Sequence, residues 1–125
     1  MLGGKNVAAT LAVSDFERAR EFYESTLGLE PLQEMPGAIL YRSGNGAVLV
    51  YPSEYAGTNK ATGASWAVGD DFDAIVDDLR AKGVRFEHYD DLPETTREGD
   101  VHVMGDMKTV WFKDPDGNIL NLSNM

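Results

Sequence analysis

Histidine and cysteine, which often carry acid–base, nucleophilic or metal chemistry, are scarce in this 125-residue chain. There are two histidines, His88 and His102, and no cysteine, which excludes thiolate nucleophiles, thiolate metal sites and disulfides. Strand alternation would put His88 on one face with Val84 and Phe86, which is typical of a half-buried, hydrogen-bonded ring rather than a ligand. His102 could act as a general base only with a positioning partner, and the sequence identifies none.

An acidic segment before His102 offers alternative bases. Residues 90–100, DDLPETTREGD, are polar and long for a connection between elements, so they are either mobile or a lid over a site. The carboxylates of Glu94, Glu98 and Asp100 could then reach a ligand beneath the lid. No Ser-His-Asp order and no glycine-rich phosphate loop accompanies them.

Composition excludes several classes of partner. The formal net charge is −10, which argues against nucleic acid and anionic membranes because both bind basic surfaces. No apolar run approaches the length of a membrane span, and the first residues lack the apolar core of a signal peptide. These features predict a cytoplasmic protein.

The first half of the chain predicts the order β-α-β-β-β. Ser14 and Glu17 have the spacing of a helix capping box, and Gly28 is typical of a helix end. The turn SGNG separates two apolar runs, which predicts a hairpin. The predicted elements are a strand at 6–13, a helix at 15–27 and hairpin strands at 38–42 and 47–51, with one further strand before the hairpin.

The second half predicts the same order. Asp70 is the expected cap of a helix with apolar residues at helical spacing, and Gly83 is its expected end. Near the end of the chain, the turn residues of WFKDPDGNILNL (111–122) predict a closing hairpin. The predicted strands are 64–68, 84–89, 101–104, 108–113 and 119–123.

The two halves repeat each other. Asp15 and Asp70 are separated by the same interval as Gly28 and Gly83, so helix starts and helix ends coincide. We therefore predict a single α+β domain of two βαβββ modules, 5–52 and 63–125, joined by a linker at 53–62. The modules would form a curved mixed sheet with the helices on its outer face. Small residues would line the concave face, which we call the cup.

Three segments carry a family resemblance: VSDFERAREFYESTLGLE at 13–30, VGDDFDAIVDDLRAKGV at 68–84 and WFKDPDGNILNL at 111–122. They resemble the vicinal oxygen chelate superfamily, which includes glyoxalase I, bleomycin resistance proteins and extradiol dioxygenases. The resemblance implies paired βαβββ modules, a ligand cup and a homodimer with the cup at or near its interface.

Enzymes of that family hold a divalent metal in the cup through the first, fourth, fifth and eighth strands. The matching positions here are Ala8, either Leu49 or Val50, Gly63, and Asn121. None can supply an imidazole or a carboxylate, and a neutral amide alone does not hold a transition metal. The sequence therefore predicts no metal and no cofactor.

The side chains predicted to line the cup instead suit the binding of a small molecule. The resemblance places Trp111 in it beside Thr109, where the indole could stack on an aromatic ligand or contact a cation. The predicted ligand-binding residues are Ala8, Thr10, Tyr41, Val50, Gly63, Ser65, Thr109, Trp111 and Asn121.

The favoured function is a metal-free protein that binds a cationic or aromatic small molecule such as an antibiotic. One alternative is a lyase or isomerase that acts without metal through His102 or a lid carboxylate. A second alternative is a glyoxalase-like metalloenzyme with a rearranged site.

Overall fold

The first half of the chain forms a four-stranded sheet with one helix. The computed structural model describes residues Met1–Met125. The strand order is β1-β4-β3-β2, with β1 parallel to β4 and the other pairs antiparallel. The elements are β1 (Ala8–Val13), α1 (Phe16–Arg20), β2 (Glu30–Met35), β3 (Ala38–Ser43) and β4 (Gly46–Pro52).

The second half forms a five-stranded sheet in the order β5-β9-β8-β7-β6. Its first strand, β5, lies beside β1, so the two sheets meet at these edges. The elements are β5 (Thr62–Ala67), α2 (Phe72–Ala81), β6 (Thr96–Glu98), β7 (Val101–Met104), β8 (Met107–Lys113) and β9 (Ile119–Ser123). The predicted α+β fold is confirmed.

One hydrophobic core lies between the sheets and the helices. Alternate residues of the strands face it, such as Leu11 and Val13 of β1 and Leu120 and Leu122 of β9. The helices contribute apolar stripes, and all of these side chains belong to a single buried cluster. The opposite face of each sheet is left open. Neither helix has the length and apolar character that crossing a membrane requires.

Two helix starts differ from the prediction. Asp15, not Ser14, caps α1: its carboxylate accepts from the backbone N–H of Glu17 and Arg18. Asp70 lies in a short 3₁₀ turn before α2 and caps nothing. In addition, the first predicted helix is α-helical only through α1 and continues as a π-helix over Glu21–Thr26.

The region between α2 and β8 differs most. The strand predicted at 84–89 is reduced to an isolated bridge between Phe86 and Phe112, with a hydrogen bond of 2.8 Å from the N–H of Glu87 to the carbonyl of Trp111. The polar segment 90–100 is not a free lid, because β6 lies within it and pairs with β7. The side chain of Arg97 also binds Asp90 across this segment at 2.8 Å.

The DPDG turn ties the two halves together. The buried carboxylate of Asp114 accepts from the hydroxyl of Tyr23, on the first helix, at 2.7 Å. It also accepts from the backbone N–H groups of Asp116 and Asn118 and from the Asn118 amide. Asn118 in turn donates to the carbonyl of Ala12 at 2.7 Å. Burial, followed by the adjacent carboxylate, raises the pKa of Tyr23 well above its usual value.

Candidate functional site

The open face of the second sheet carries two rows of side chains. Strand register places Ser65, Asn121 and Trp111 side by side on β5, β9 and β8. The next row contains Thr109 and its cross-strand partners Ser123 and His102. The residues between these rows face the core, so the alternation of each strand divides apolar from polar side chains.

Apart from the buried His102, the residues of these rows form the floor of a pocket of about 440 Å³, which we call the second-sheet pocket. Trp111 stands at one side, and Met104 and Met107 lie at the β7–β8 end. Thioether side chains adapt to irregular apolar ligands. No Asp, Glu, Lys, Arg or His side chain lines the pocket.

The indole of Trp111 is held by three contacts. Its Nε1–H donates to the hydroxyl of Thr62 at 3.1 Å. Its ring makes edge-to-face pairs with Tyr89 and His102, with centroids 5.4 Å and 4.9 Å away. A ring fixed in this way offers a preorganised apolar surface, because little conformational freedom remains to be lost on binding.

His102 is fully buried behind Trp111. Its Nε2 accepts from the backbone N–H of Tyr89 at 2.9 Å, so the neutral ring carries its proton on Nδ1, which has no hydrogen-bond partner. Burial lowers the pKa of His102, the proximity of Arg97 and of His88 lowers it further, and Asp90 acts in the opposite direction. His102 is therefore a neutral packing residue and not an accessible base.

The other candidate bases also point away from the pocket. Asp100 binds Arg80 at 2.9 Å and His88 at 2.8 Å, which places it beside α2. Hydrogen bonds from these two side chains hold the pKa of Asp100 below its usual value. Glu94 and Glu98 are exposed and do not line the second-sheet pocket. The geometry therefore does not favour the lyase or isomerase alternative.

Four of the predicted ligand-binding residues are brought together in the second-sheet pocket: Ser65, Thr109, Trp111 and Asn121. Ala8 lines a separate depression of about 520 Å³ on the open face of the first sheet, and Thr10 is exposed on the same strand. The depression also contains Arg42 and Leu40 from β3. Neither Ala8 nor Thr10 lines the second-sheet pocket.

The predicted orientations of three residues are wrong. Tyr41 and Val50 lie in the core, because the register of β3 with β4 turns both towards the helices. The Tyr41 hydroxyl donates to Glu24 at 2.9 Å, and burial raises its pKa. Gly63 lies in a bulge of β5, and a Cβ there would meet Cδ2 of the core residue Leu11 at 2.9 Å.

The same bulge explains a residue that the sequence reading missed. Strict alternation would turn Thr62 towards the core together with Ala64 and Trp66. The register shift between Thr62 and Ala64 instead places Thr62 in the second-sheet pocket, where it binds Trp111. A glycine inside a strand was the available signal, because it often marks a bulge.

The residues at the family's metal positions do not fit a divalent metal. Ala8, Leu49 and Gly63 have no ligand atom in the side chain, and the neutral amide oxygen of Asn121 alone does not hold a transition metal. No three His, Asp or Glu side chains lie close enough together elsewhere to hold a metal ion.

The sequence matches one family model along nearly its whole length. Residues 6–122 match the glyoxalase/bleomycin resistance protein/dioxygenase superfamily. The chain belongs to this superfamily. The resemblance carried by the three sequence segments is confirmed, and the DPDG turn and both helix starts lie within the matched range. In a sequence comparison, no curated protein matches the chain.

Solved structures show the same superfamily fold at low sequence identity. A glyoxalase family protein from Enterococcus faecalis has a TM-score of 0.74 at 16% identity, covering 98% of this chain and 99% of that chain. The fosfomycin resistance protein FosX from Mesorhizobium loti has a TM-score of 0.68 at 16% identity, covering 98% and 92%. Lactoylglutathione lyase from Agrobacterium tumefaciens has a TM-score of 0.68 at 18% identity, covering 95% and 92%. At these identities the likeness concerns the fold alone.

Proposed function

We propose that this superfamily member is a metal-free small-molecule-binding protein whose ligand site is the second-sheet pocket. The observation that carries the proposal is Trp111, whose indole is fixed by Thr62, Tyr89 and His102 at the side of a concave pocket. Concave pockets with a rigid aromatic wall and a few polar groups are typical of ligand sites.

The ligand class in this proposal is a cationic or aromatic compound such as an antibiotic. FosX, a structural neighbour, is a fosfomycin resistance protein, and the superfamily includes bleomycin resistance proteins. In this proposal the protein is a cytoplasmic homodimer that sequesters its ligand without changing the ligand chemically. The chain has no cluster of side chains that could hold a metal ion and no base that faces the pocket, which supports a role in binding alone.

Tryptophan fluorescence can test the proposal because the chain has two tryptophans. In a Trp66→Phe variant the remaining signal comes from Trp111. We expect aromatic or cationic compounds from a broad panel, glycopeptide antibiotics included, to quench it. Trp111→Phe is the comparison variant: its signal comes from Trp66, which also borders the second-sheet pocket but whose Nε1 donates to Ser43 beside the helices. It should respond more weakly than Trp111 to the same compounds.

Replacing Trp111 by Ala should weaken binding of the same compounds by about tenfold, since the stacking surface is lost. A panel in which no compound changes the Trp111 signal would show that the second-sheet pocket is not a site for such ligands. Binding that survives Trp111→Ala unchanged would place the site elsewhere.

A further inference from the structure

The ligand's polarity can be inferred from the pocket wall. This step rests on the proposed ligand site and deepens it. The chain as a whole has a formal net charge of −10, yet no ionisable side chain lines the second-sheet pocket. A charged ligand would lose its hydration there without gaining an ion pair with a side chain of the pocket, which disfavours it. Long-range attraction of cations by the acidic surface is screened by salt and adds no partner inside the pocket.

The orientation of the Asn121 amide follows from its partners. Its Nδ2 donates to the hydroxyl oxygen of Thr109 and, at 3.1 Å, to the backbone carbonyl of Val110. The hydrogen of the Thr109 hydroxyl is already donated to the carbonyl of Leu122 at 2.8 Å. Both partners of the amide therefore act as acceptors, so the group facing them must be the NH₂ and not the oxygen.

The other end of that amide is the acceptor Oδ1. No protein group donates a hydrogen bond to it, although Asn121 is largely buried and lines the second-sheet pocket. An amide oxygen carries two lone pairs, and leaving it unpaired while a ligand covers it is costly. A ligand that covers this acceptor should therefore donate a hydrogen bond to it.

The acceptor stands beside the aromatic wall. Asn121 and Trp111 are direct cross-strand partners on β9 and β8, and such partners have Cβ atoms about 4.5–5.5 Å apart. A planar ring lying against the indole would therefore bring its edge close to the amide oxygen.

We infer that the second-sheet pocket selects uncharged planar aromatic ligands that carry an N–H or O–H donor on the ring edge, with Asn121 Oδ1 accepting that hydrogen. Trp111 supplies the stacking surface and Asn121 supplies the selectivity. Of the cationic and aromatic classes in the proposed function, the aromatic one is favoured.

Indole and benzofuran are matched probes, since they differ mainly in a ring N–H against a ring oxygen. Binding is followed by chemical-shift titration of the full chain. We expect indole to bind about tenfold more tightly than benzofuran, because benzofuran leaves the Asn121 oxygen unpaired. A second pair, neopentylbenzene and the benzyltrimethylammonium ion, has similar shape and differs in charge. The neutral member should bind more tightly at physiological ionic strength.

The variant Asn121→Leu keeps the branched shape of the side chain and removes the acceptor, so the ratio between indole and benzofuran should fall to about one. Asn45→Leu is the matched control, because it makes the same exchange at an exposed residue of the first-sheet depression, outside the second-sheet pocket. It should leave the ratio unchanged.

Equal binding of indole and benzofuran to the unmodified protein would overturn the inference without any variant, as would tighter binding of the ammonium ion. If indole and benzofuran bind equally and Trp111→Ala abolishes the binding of both, the proposed pocket stands and only the inferred selectivity fails. If no aromatic probe binds, the proposed function itself fails.

Discussion

A single buried carboxylate connects the family motif to the fold. Asp114 accepts four hydrogen bonds, one of them from Tyr23 in the other half of the chain. Asp116 adds a second tie, since it accepts from the backbone and hydroxyl of Ser14 and pairs with Arg18 at 3.0 Å. The DPDG turn is thus a structural joint between the modules, and the residues that identify the superfamily are distinct from those that line the second-sheet pocket.

The lowered pKa of His102 should make the free energy of unfolding depend on pH. Its folded-state pKa lies below the usual value of 6.5. Between that folded-state pKa and about pH 6.5, the imidazole is therefore protonated in more of the unfolded chains than of the folded ones. The free energy of unfolding should therefore decrease as pH falls from about 6.5 towards the folded-state pKa. One proton limits the slope of this decrease to about 1.4 kcal/mol per pH unit. Urea unfolding at a series of pH values measures it.

The variant His102→Gln removes the titrating group, and its stability should be nearly constant over that interval. His88→Gln is the control, because it removes an exposed imidazole and leaves the buried one in place. Asp90 and Asp100 have lowered pKa values and contribute only at more acidic pH, below their usual value of 3.8. A slope that persists in His102→Gln would show that another group causes it.

At the scale of elements, the linker between the modules is packed against the DPDG turn. Gly57 and Gly28 have the same φ of +74°. A Cβ at Gly57 would lie 1.8 Å from the carbonyl oxygen of Asp116, whereas a Cβ at Gly28 would meet nothing within 4 Å. The two glycines therefore separate the effect of backbone strain from the effect of close approach.

We expect Gly28→Ala to lower the free energy of unfolding by about 1–2 kcal/mol, the usual cost of a positive φ for an L-residue. Gly57→Ala should lower it by at least about 3 kcal/mol, because the linker must also move away from the turn. Chemical denaturation of both variants gives the difference. Equal effects would mean that the linker moves freely and is not packed on the turn.

Most of the element order could be predicted from the sequence because most elements have a local signal, but β6 lies in the polar segment 90–100, where the sequence predicts no strand. The alternation of β1, the helical spacing in α2 and the turn residues around Gly117 lie within a few residues of what they specify. The bulge at Thr62 has no such signal beyond a glycine. It depends on how β5 meets β9, and it decides which side chain stands beside Trp111.

Tertiary pairing also decides the remaining differences in the site. The segment 84–89 alternates like a strand, yet it pairs with β8 at a single bridge. Tyr89 at its end is thereby placed against Trp111 and His102, which no periodicity indicates. The orientation predicted for Tyr41 was wrong because the register of its hairpin, which determines the face it occupies, is set by pairing with β4.

On the scale of the whole molecule, the two sheets are unequal. The second has a walled pocket with a fixed indole, whereas the open face of the first carries exposed apolar side chains. Val7 is 87% exposed and Leu32 is 45% exposed, and both line the same depression. Grouped apolar exposure is typical of an interaction surface. The proposed homodimer would cover it with the second copy of this chain.

Sedimentation velocity can test the homodimer and this surface together. Each chain carries a formal charge of −10, so association should strengthen as salt screens the repulsion between two copies. We expect the unmodified chain, of 13.7 kDa, to sediment at twice that mass at physiological ionic strength and to dissociate partly at low salt. The double variant Val7→Glu, Leu32→Glu should sediment as a monomer, because it places carboxylates in the apolar contact.

Tyr55→Glu is the matched control for that variant. Tyr55 is also a large exposed side chain, at 69%, but it belongs to the linker and not to the first-sheet depression. It adds negative charge and removes apolar surface as the test substitutions do, so its retention of the dimer would assign the effect to the first sheet. A dimer that survives the double variant would place the interface elsewhere, and a chain that is monomeric at all salt concentrations would contradict the proposed homodimer. Because the second-sheet pocket is complete within one chain, ligand binding should persist in the monomeric variant.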